Sequence, residues 1–531
     1  MVHNRAQAFC HKKRSGRETR LKRRYGPVGP SPNVTGYIYD LKNISMFNRQ
    51  WKPGFPCLVV WKGLLYNALP MDSEDFQQPQ PRVTLYTLGC RLNQAETALL
   101  KDGFQQRGFI PVEFGRETDV FVINTCTVTE GAEVDCRRIV RQVLRHSPHA
   151  FVAVTGCYAQ TGLEALRRMA DIDLIVGNQF KMKLPEIIPP FPQLKKQPVP
   201  VVHHGRIDPE NFSIEGVGAY STTRANLKIQ DGCQFMCSFC LIPFARGRER
   251  SRFLEDAVCE AELLVERGHR ELVLTGVNIG QYRDGAADLL TLIQRCEAIQ
   301  GLERIRISSI EPTTVPESLL DYMSSSTKLC RHLHVPLQSG DDRILQAMNR
   351  RYSVREYQEA MESALKRIPD LCFGTDVLVG FPGEGPREFA NTEAVIRDSP
   401  FAYLHVFSYS PRPGTASTKL PNPVSPATTK ERSRSLREMS DHKRMAFQQR
   451  FVGRRVSVLF EAAESEGYWP GLTDNFLRVT VRSPHPLRNT IQPVVVTGMM
   501  SDTTLGLLEP ISESPPPTQD LFSASSLVCV S

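Results

Sequence analysis

Residues 231–252 read DGCQFMCSFCLIPFARGRERSR, and the three cysteines inside this stretch organise the rest of the chain. Cys233, Cys237 and Cys240 fall at C-x3-C-x2-C spacing, and a short alternating strand at 226–230, with Leu227 and Ile229 on its apolar side, runs into them. Thiolates are ligands for soft metals and iron–sulfur clusters. Three on one loop can hold three irons of a 4Fe–4S cube and leave the fourth iron open to a substrate. A structural zinc would need a fourth protein ligand close by. The next cysteine, Cys259, lies inside a predicted helix, and no histidine follows soon. Buried structural cysteines are the plainer alternative, weighed against a spacing and a glycine-entered loop that favour the open cluster.

Working outward, the 531 residues suffice for three domains with the composition of a soluble globular protein. Fourteen cysteines are scattered apart from the clustered three, which favours a reducing, cytoplasmic setting over a disulfide scaffold. The apolar stretch 55–69 contains Lys62 and is too short to span a bilayer, so no membrane partner is expected. The net charge of +8 resides in residues 1–25, which hold nine Lys/Arg against Glu18 alone. Nucleic-acid binding by the body of the protein must therefore come from local patches. Residues 1–80 show no sustained period and read as an unstructured or spurious extension, with the start near Met71; a transit peptide or basic arm is the alternative.

From residue 82 a strand–helix pattern repeats. Strands at 83–90, 120–126, 151–157 and 173–176 alternate with helices at 93–107, 129–146 and 160–170, which predicts a parallel sheet covered by helices over 81–178. The first three strands end on Cys90, Cys126 and Cys157. A parallel sheet gathers its C-terminal strand ends on one edge, with neighbours about 4.8 Å apart, so three such loops can surround a second cluster.

Residues 179–222 read as a proline-rich linker. A second series of strands, at 226–230, 271–275, 304–308, 332–335, 372–379 and 403–408, makes 223–410 an open (β/α)6 barrel of TIM type, whose site lies at the C-terminal strand ends. Glycine-rich and polar pieces fall there: Gly276, Asn278 and Gly280 in GVNIG, Ser308 and Glu311 in SSIEP, Gln338 in QSG, and GFPGE. Together they outline a cofactor pocket. Asp376, inside a predicted strand, is either an inward pocket residue or a satisfied core carboxylate. Residues 411–452 hold a linker and a basic helix at 430–450, 453–510 a small all-β barrel, and 511–531 a tail that reads as disordered.

The cysteine loop, the six βα units and the glycine motifs resemble the radical S-adenosylmethionine enzymes, and most closely the methylthiotransferases. LGCRLNQAET (88–97), CLIPFARGRERSR (240–252) and RISSIEP (306–312) resemble the branch that acts on threonylcarbamoyladenosine in tRNA. The resemblance implies a TRAM-type C-terminal barrel, a radical cluster on Cys233, Cys237 and Cys240, and an auxiliary 4Fe–4S cluster on Cys90, Cys126 and Cys157. It further implies S-adenosylmethionine as cofactor, an anticodon stem-loop as substrate, and external electron and sulfur donors. Arg246, Arg248, Arg250 and Arg252, with the helix at 430–450, are the expected phosphate contacts. Two rivals stay open: a sibling enzyme for another modified base or a protein side chain, and a non-catalytic zinc-binding RNA module.

Overall fold

The computed structural model describes residues 80–509 apart from 128–130, 192, 466 and 501–502. The expected extension before residue 80 and the tail at 511–531 lie outside the described residues.

The first sheet contains β1 (Arg82–Thr87), β2 (Ile110–Pro111), β3 (Val120–Thr125), β4 (Phe151–Gly156), β5 (Leu174–Val176) and β6 (Val201–His203), in the order β2-β1-β3-β4-β5-β6. All its pairings are parallel. β3 and β4 are buried along their whole length, as central strands of a sheet covered on both faces must be. Alternation divides their side chains. Val120, Val122, Phe151 and Ala153 pack with Leu100 and Phe104 of the helix Arg91–Gln106. Phe121, Ile123, Val152 and Val154 pack with Ile139, Val140 and Val143 of the helix Gly131–His146.

The linker expected at 179–222 needs correction. β6 lies within it and adds a sixth strand, with Val176 opposite His203. Its three residues among prolines carry no alternation that a sequence reading could use. The helix expected at 160–170 is likewise two short helices, Cys157–Thr161 and Leu163–Arg167, separated at Gly162.

The second region opens with β7 (Arg224–Lys228), the small hairpin of β8 (Gln230–Asp231) with β9 (Arg250–Ser251), β10 (Glu271–Thr275), and a minor ribbon of β11 (Arg283–Asp284) and β12 (Ala287–Asp288). β13 (Arg304–Ile307), β14 (His332–His334), β15 (Cys372–Val379) and β16 (Tyr403–Ser408) follow. β7, β10 and β13 form one parallel run and β14, β15 and β16 another. These are the six strands read from the sequence. The first begins two residues earlier than expected, and residue 230 belongs to the hairpin instead. Leu227, Leu272, Leu274, Ile305 and Leu333 share one core with helix residues such as Ala261, Leu292 and Tyr357.

The helix Pro426–Gln449 starts earlier than read, where the Ser425 hydroxyl caps Thr428 N–H at 3.1 Å. A closed five-stranded barrel follows: β17 (Arg455–Phe460), β18 (Tyr468–Thr473), β19 (Arg478–Arg482), β20 (Ile491–Met500) and β21 (Thr503–Leu508). Two buried arginines of β13 fasten it. Arg304 donates to the Leu472 carbonyl at 2.8 Å and Arg306 to the Thr473 carbonyl at 2.9 Å.

Candidate active site

β7 delivers the chain through Gln230 to a tight turn at Gly232. That residue has φ +73°, and a Cβ on it would lie 2.0 Å from the Arg248 carbonyl oxygen. Only glycine lets the β8–β9 hairpin close here and lets Cys233 N–H reach the Gly247 carbonyl at 3.1 Å. Beyond the turn each sulfur accepts a donor. Phe235 N–H approaches Cys233 Sγ at 3.5 Å, Arg350 Nη1 approaches Cys237 Sγ at 3.3 Å, and Ile242 N–H approaches Cys240 Sγ at 3.4 Å. Burial, with added charge from neighbouring cysteines, pushes the Cys233 thiol up to about 11 and the Cys240 thiol up to about 12. Donors aimed at all three sulfurs are the arrangement that orients thiolate ligands and supports their negative charge.

The second trio stands at the edge of the first sheet. Thr125 of β3 is paired with Gly156 of β4, so Cys126 and Cys157 follow neighbouring strand ends in register. Gly89 and Gly156 both have positive φ, at +92° and +101°. A Cβ on Gly89 would lie 2.5 Å from Cys126 Sγ, and one on Gly156 would lie 2.3 Å from the Thr125 carbonyl oxygen. The loops carrying Cys90, Cys126 and Cys157 therefore converge around residues 125–126. Three of the six cysteines, Cys90, Cys157 and Cys233, directly follow a left-handed glycine. Among the described residues, the one set of three His, Cys, Asp or Glu ligand atoms all within 4.8 Å of one another is His334, Asp376 and His405.

Arg246 joins the two trios. Its Nε donates to Cys157 Sγ at 3.1 Å, Nη1 to Glu96 at 2.9 Å and Asp231 at 3.0 Å, and Nη2 to Asn93 at 2.6 Å. Lys181 pairs with Glu96 at 2.6 Å, and Lys228 bridges Glu96 at 2.7 Å and Asp231 at 2.8 Å. The network is buried and holds three cations, Arg246, Lys181 and Lys228, against two carboxylates, Glu96 and Asp231. The surplus positive charge faces Cys157. Burial alone would raise the Glu96 carboxyl, but the charges of Arg246, Lys181 and Lys228 hold it well below the usual range.

This corrects the reading of the arginine run. Arg246 and Arg252 are each only 1% exposed and are not available to RNA. Arg252 pairs with Asp256 at 2.8 Å and with Glu260. The alternation of arginines does not put them on one side, because Arg246 ends the helix Ile242–Arg246 and Arg252 turns inward after β9. Arg250 is half-buried over the Phe212 ring and pairs with Asp231 at 3.3 Å. Arg248 is exposed. In the helix Pro426–Gln449, Arg432 is also buried, paired with Glu384 at 2.5 Å, and is corrected in the same way.

The pocket residues divide. Gln338, Asp376 and Cys240 line one cavity of about 590 Å³, and Thr127, next to Cys126, reaches the same space from the first sheet. Gln338 sits at φ +67° with its N–H on the Asp376 carbonyl at 2.8 Å. Asp376 is both an inward residue and a satisfied one: His334 approaches its Oδ1 at 2.8 Å and His405 at 3.3 Å. Gly276, Asn278, Gly280, Ser308 and Glu311 do not line that cavity. Gln230 Oε1 accepts Val277 N–H at 2.8 Å and Asn278 N–H at 2.9 Å, tying GVNIG to the cysteine loop. Asn278 accepts the Thr314 hydroxyl at 3.1 Å, and Gly280 packs against Thr314. Ser308 N–H donates to the Leu274 carbonyl at 3.2 Å. Glu311 reaches the loop through its ion pair with Arg350. Sequence reasoning missed Arg350, Glu96, Lys181 and Lys228. Glu96 and Arg246 lay inside quoted motifs, but nothing local said that they pair.

Comparison with known proteins agrees with this geometry. Residues 227–396 match the model of the Radical SAM superfamily, and residues 82–177 match that of uncharacterized protein family UPF0004. The chain is 39% identical to threonylcarbamoyladenosine tRNA methylthiotransferase MtaB of Aquifex aeolicus, over 71% of this chain and 92% of the relative. It is 33% identical to the protein of the same name in Bacillus subtilis, over 78% and 93%. With tRNA-2-methylthio-N(6)-dimethylallyladenosine synthase of Coxiella burnetii it shares 34% over 76% and 94%. The chain belongs to the radical S-adenosylmethionine methylthiotransferase family. Among the described residues no helix is long and apolar enough to cross a membrane.

Proposed function

We propose that the protein is a tRNA methylthiotransferase that places a methylthio group on C2 of N6-threonylcarbamoyladenosine beside the anticodon. The observation that carries this reading is the cavity at the cysteine loop, lined by Cys240 from one trio's loop and by Thr127 from the strand end of the other. A substrate base there has both three-cysteine sites at hand. The substrate assignment is supported by the relatives named for threonylcarbamoyladenosine and by LGCRLNQAET, CLIPFARGRERSR and RISSIEP.

Cys233, Cys237 and Cys240 would hold the radical 4Fe–4S cluster, and Cys90, Cys126 and Cys157 the auxiliary one. When bound, the clusters and S-adenosylmethionine supply reductive cleavage of the sulfonium, removal of hydrogen from adenine C2, and the methylated sulfur that replaces it. The chain contributes position and field. Phe235 N–H, Ile242 N–H and Arg350 orient the loop sulfurs, while Arg246 stabilises negative charge on Cys157. Gln230 keeps the GVNIG loop against the cysteine loop. Phe239, Leu241, Ile242 and Leu378 give the cavity an apolar wall that excludes water. The exposed Arg248, beside the loop, meets the RNA backbone, and external electron and sulfur donors complete the reaction.

Mass spectrometry of tRNA nucleosides from cells with and without the gene tests the reading. The methylthio form of threonylcarbamoyladenosine should disappear with the gene. Loss of the methylthio form of the dimethylallyl nucleoside instead would assign the protein to the sibling branch.

A further inference from the structure

Phe407 is the large apolar side chain that the cavity beside the cysteine loop leaves uncovered. β16, which carries it, is the last strand of the run β14-β15-β16. Alternation sends Leu404 and Val406 into one core with Val377, Val379 and Leu436. Phe407 falls on the other face, opposite its register partner Leu378. Both line the space that also holds Cys240, Gln338 and Thr127. Leu378 is 8% exposed, whereas Phe407 is 41% exposed.

The two other aromatic side chains of that lining, Phe239 and Tyr409, are each packed against Phe381, with ring centres 6.3 and 5.4 Å apart. Phe407 instead meets His405 edge-on, at 6.5 Å and 81°. Among the described residues no ring is stacked on it. A ring left open inside a cavity of about 590 Å³ gains most from a flat partner laid on its face, and a nucleobase is such a partner. Ser408, next in the strand, is exposed as well, so this wall is reached from solvent, the side from which a base swung out of an RNA loop arrives. A base resting on Phe407 shares the cavity with Cys240 of one trio and with Thr127, which follows Cys126 of the other.

We propose that Phe407 is a positioning residue whose ring is the platform for the target adenine, holding C2 toward the cysteine loop. The proposal rests on the substrate reading given above, because it takes an RNA base as the occupant.

The test uses the full chain, reconstituted with iron and sulfide, on two synthetic anticodon stem-loops, one carrying threonylcarbamoyladenosine and the other dimethylallyladenosine. On the RNA that the wild type modifies, Phe407→Ala should lower kcat/KM about tenfold or more. Phe407→Leu, which restores apolar bulk without a ring face, should regain little of this, and Phe407→Tyr most of it. The Ala and Leu variants should also cleave more S-adenosylmethionine per methylthio nucleoside formed, because a loosely held base misses the radical. Misfolding would lower cleavage and product together, and iron content reports it independently. Should Phe407→Ala lose iron, the Leu and Tyr pair decides alone. Wild-type kcat/KM and coupling in Phe407→Leu overturn the proposal, since bulk then suffices. So does a Phe407→Tyr protein as poor as Phe407→Leu. A fall in S-adenosylmethionine affinity, measured without RNA, that accounts for the whole loss would put the ring on the cofactor's adenine and overturn it too. Modification of the dimethylallyl RNA alone would overturn the branch assignment, while the Phe407 series on that RNA still decides the stacking. Modification of neither RNA removes the substrate reading, and the proposal falls with it.

Discussion

Arg246 donates its Nε–H to Cys157 Sγ across 3.1 Å, although the two residues stand on different helices 89 residues apart in the chain and the arginine side chain was expected on the surface. The same guanidinium is locked by Glu96 and Asp231. Replacing it by Gln leaves Glu96 with Lys181 and Lys228, and Asp231 with Lys228 and Arg250, and removing one member of a buried ion pair in this way costs about 3–5 kcal/mol. Arg246→Gln should therefore lower the melting temperature and lose the iron held near Cys157 first. Arg246→Lys should fall between the two, because it keeps charge without the fork. Iron analysis and thermal melts of the three proteins, prepared side by side, check this. An Arg246→Gln protein with wild-type iron and stability would remove the bridging role.

The left-handed glycines give a second test. Gly232→Ala puts a Cβ 2.0 Å from the Arg248 carbonyl oxygen, and Gly156→Ala puts one 2.3 Å from the Thr125 carbonyl oxygen. Backbone cannot yield there cheaply, so each variant should lose the iron of its own trio. Gly268→Ala also has positive φ, at +94°, but its Cβ meets nothing within 4 Å. It should cost only the conformational strain, about 1 kcal/mol, and keep full iron. Equal iron in all three variants would show that these turns do not shape the cysteine sites.

Arg248 and Arg252 belong to one charge run but differ in setting. Arg248 is exposed, so Arg248→Gln should weaken tRNA binding and shallow the salt dependence by about one phosphate contact. Arg252 is buried against Asp256 and Glu260. Arg252→Gln should destabilise the fold by about 3–5 kcal/mol and leave the salt slope of the folded fraction unchanged. Affinity measured across a salt series, beside a thermal melt, separates them; a shallower slope for Arg252→Gln alone would reverse the assignment.

Asp376 sets an acid limb. Burial opposes its charge, but hydrogen bonds from His334 and His405 outweigh that and hold its carboxyl well below the ordinary value. A depressed folded-state pKa contributes stability above the unfolded value, about 3.9, and that stability disappears as pH falls through the folded pKa. Asp376→Asn should thus be less stable than wild type at neutral pH by about 1–3 kcal/mol, with the gap closing below about pH 4. Melting temperatures of both proteins from neutral pH down to about pH 3 test this. A gap that stays constant over that range would mean that the charge contributes nothing.

Much of the architecture was legible because its signals are local. The short, continuous apolar runs that open VFVINT and FVAVTG mark buried strands, and cysteines at their ends are carried to one edge by parallel pairing, which the register of Thr125 with Gly156 bears out. The six strands of the second region were readable for the same reason. What escaped reading is long-range or very short. β2 and β6 have two and three residues, and β18 contains Pro470 and Gly471, which weaken any strand signal. The fate of Arg246 depends on Glu96, Lys181 and Cys157, far away in the chain, so its surroundings in RGRERSR pointed outward when the side chain points in. Arg350 carried no signal near the cysteine loop, yet its guanidinium connects Cys237 to Glu311.

The separation of two three-cysteine sites that serve one substrate is tested most directly by measuring iron and reaction products together on Cys157→Ala and Cys240→Ala. Each variant, reconstituted without oxygen, should hold about half the wild-type iron. Cys240→Ala should neither cleave S-adenosylmethionine nor modify tRNA. Cys157→Ala should still cleave S-adenosylmethionine but form no methylthio nucleoside. Full iron in both variants, or normal methylthio product from Cys157→Ala, would contradict the account.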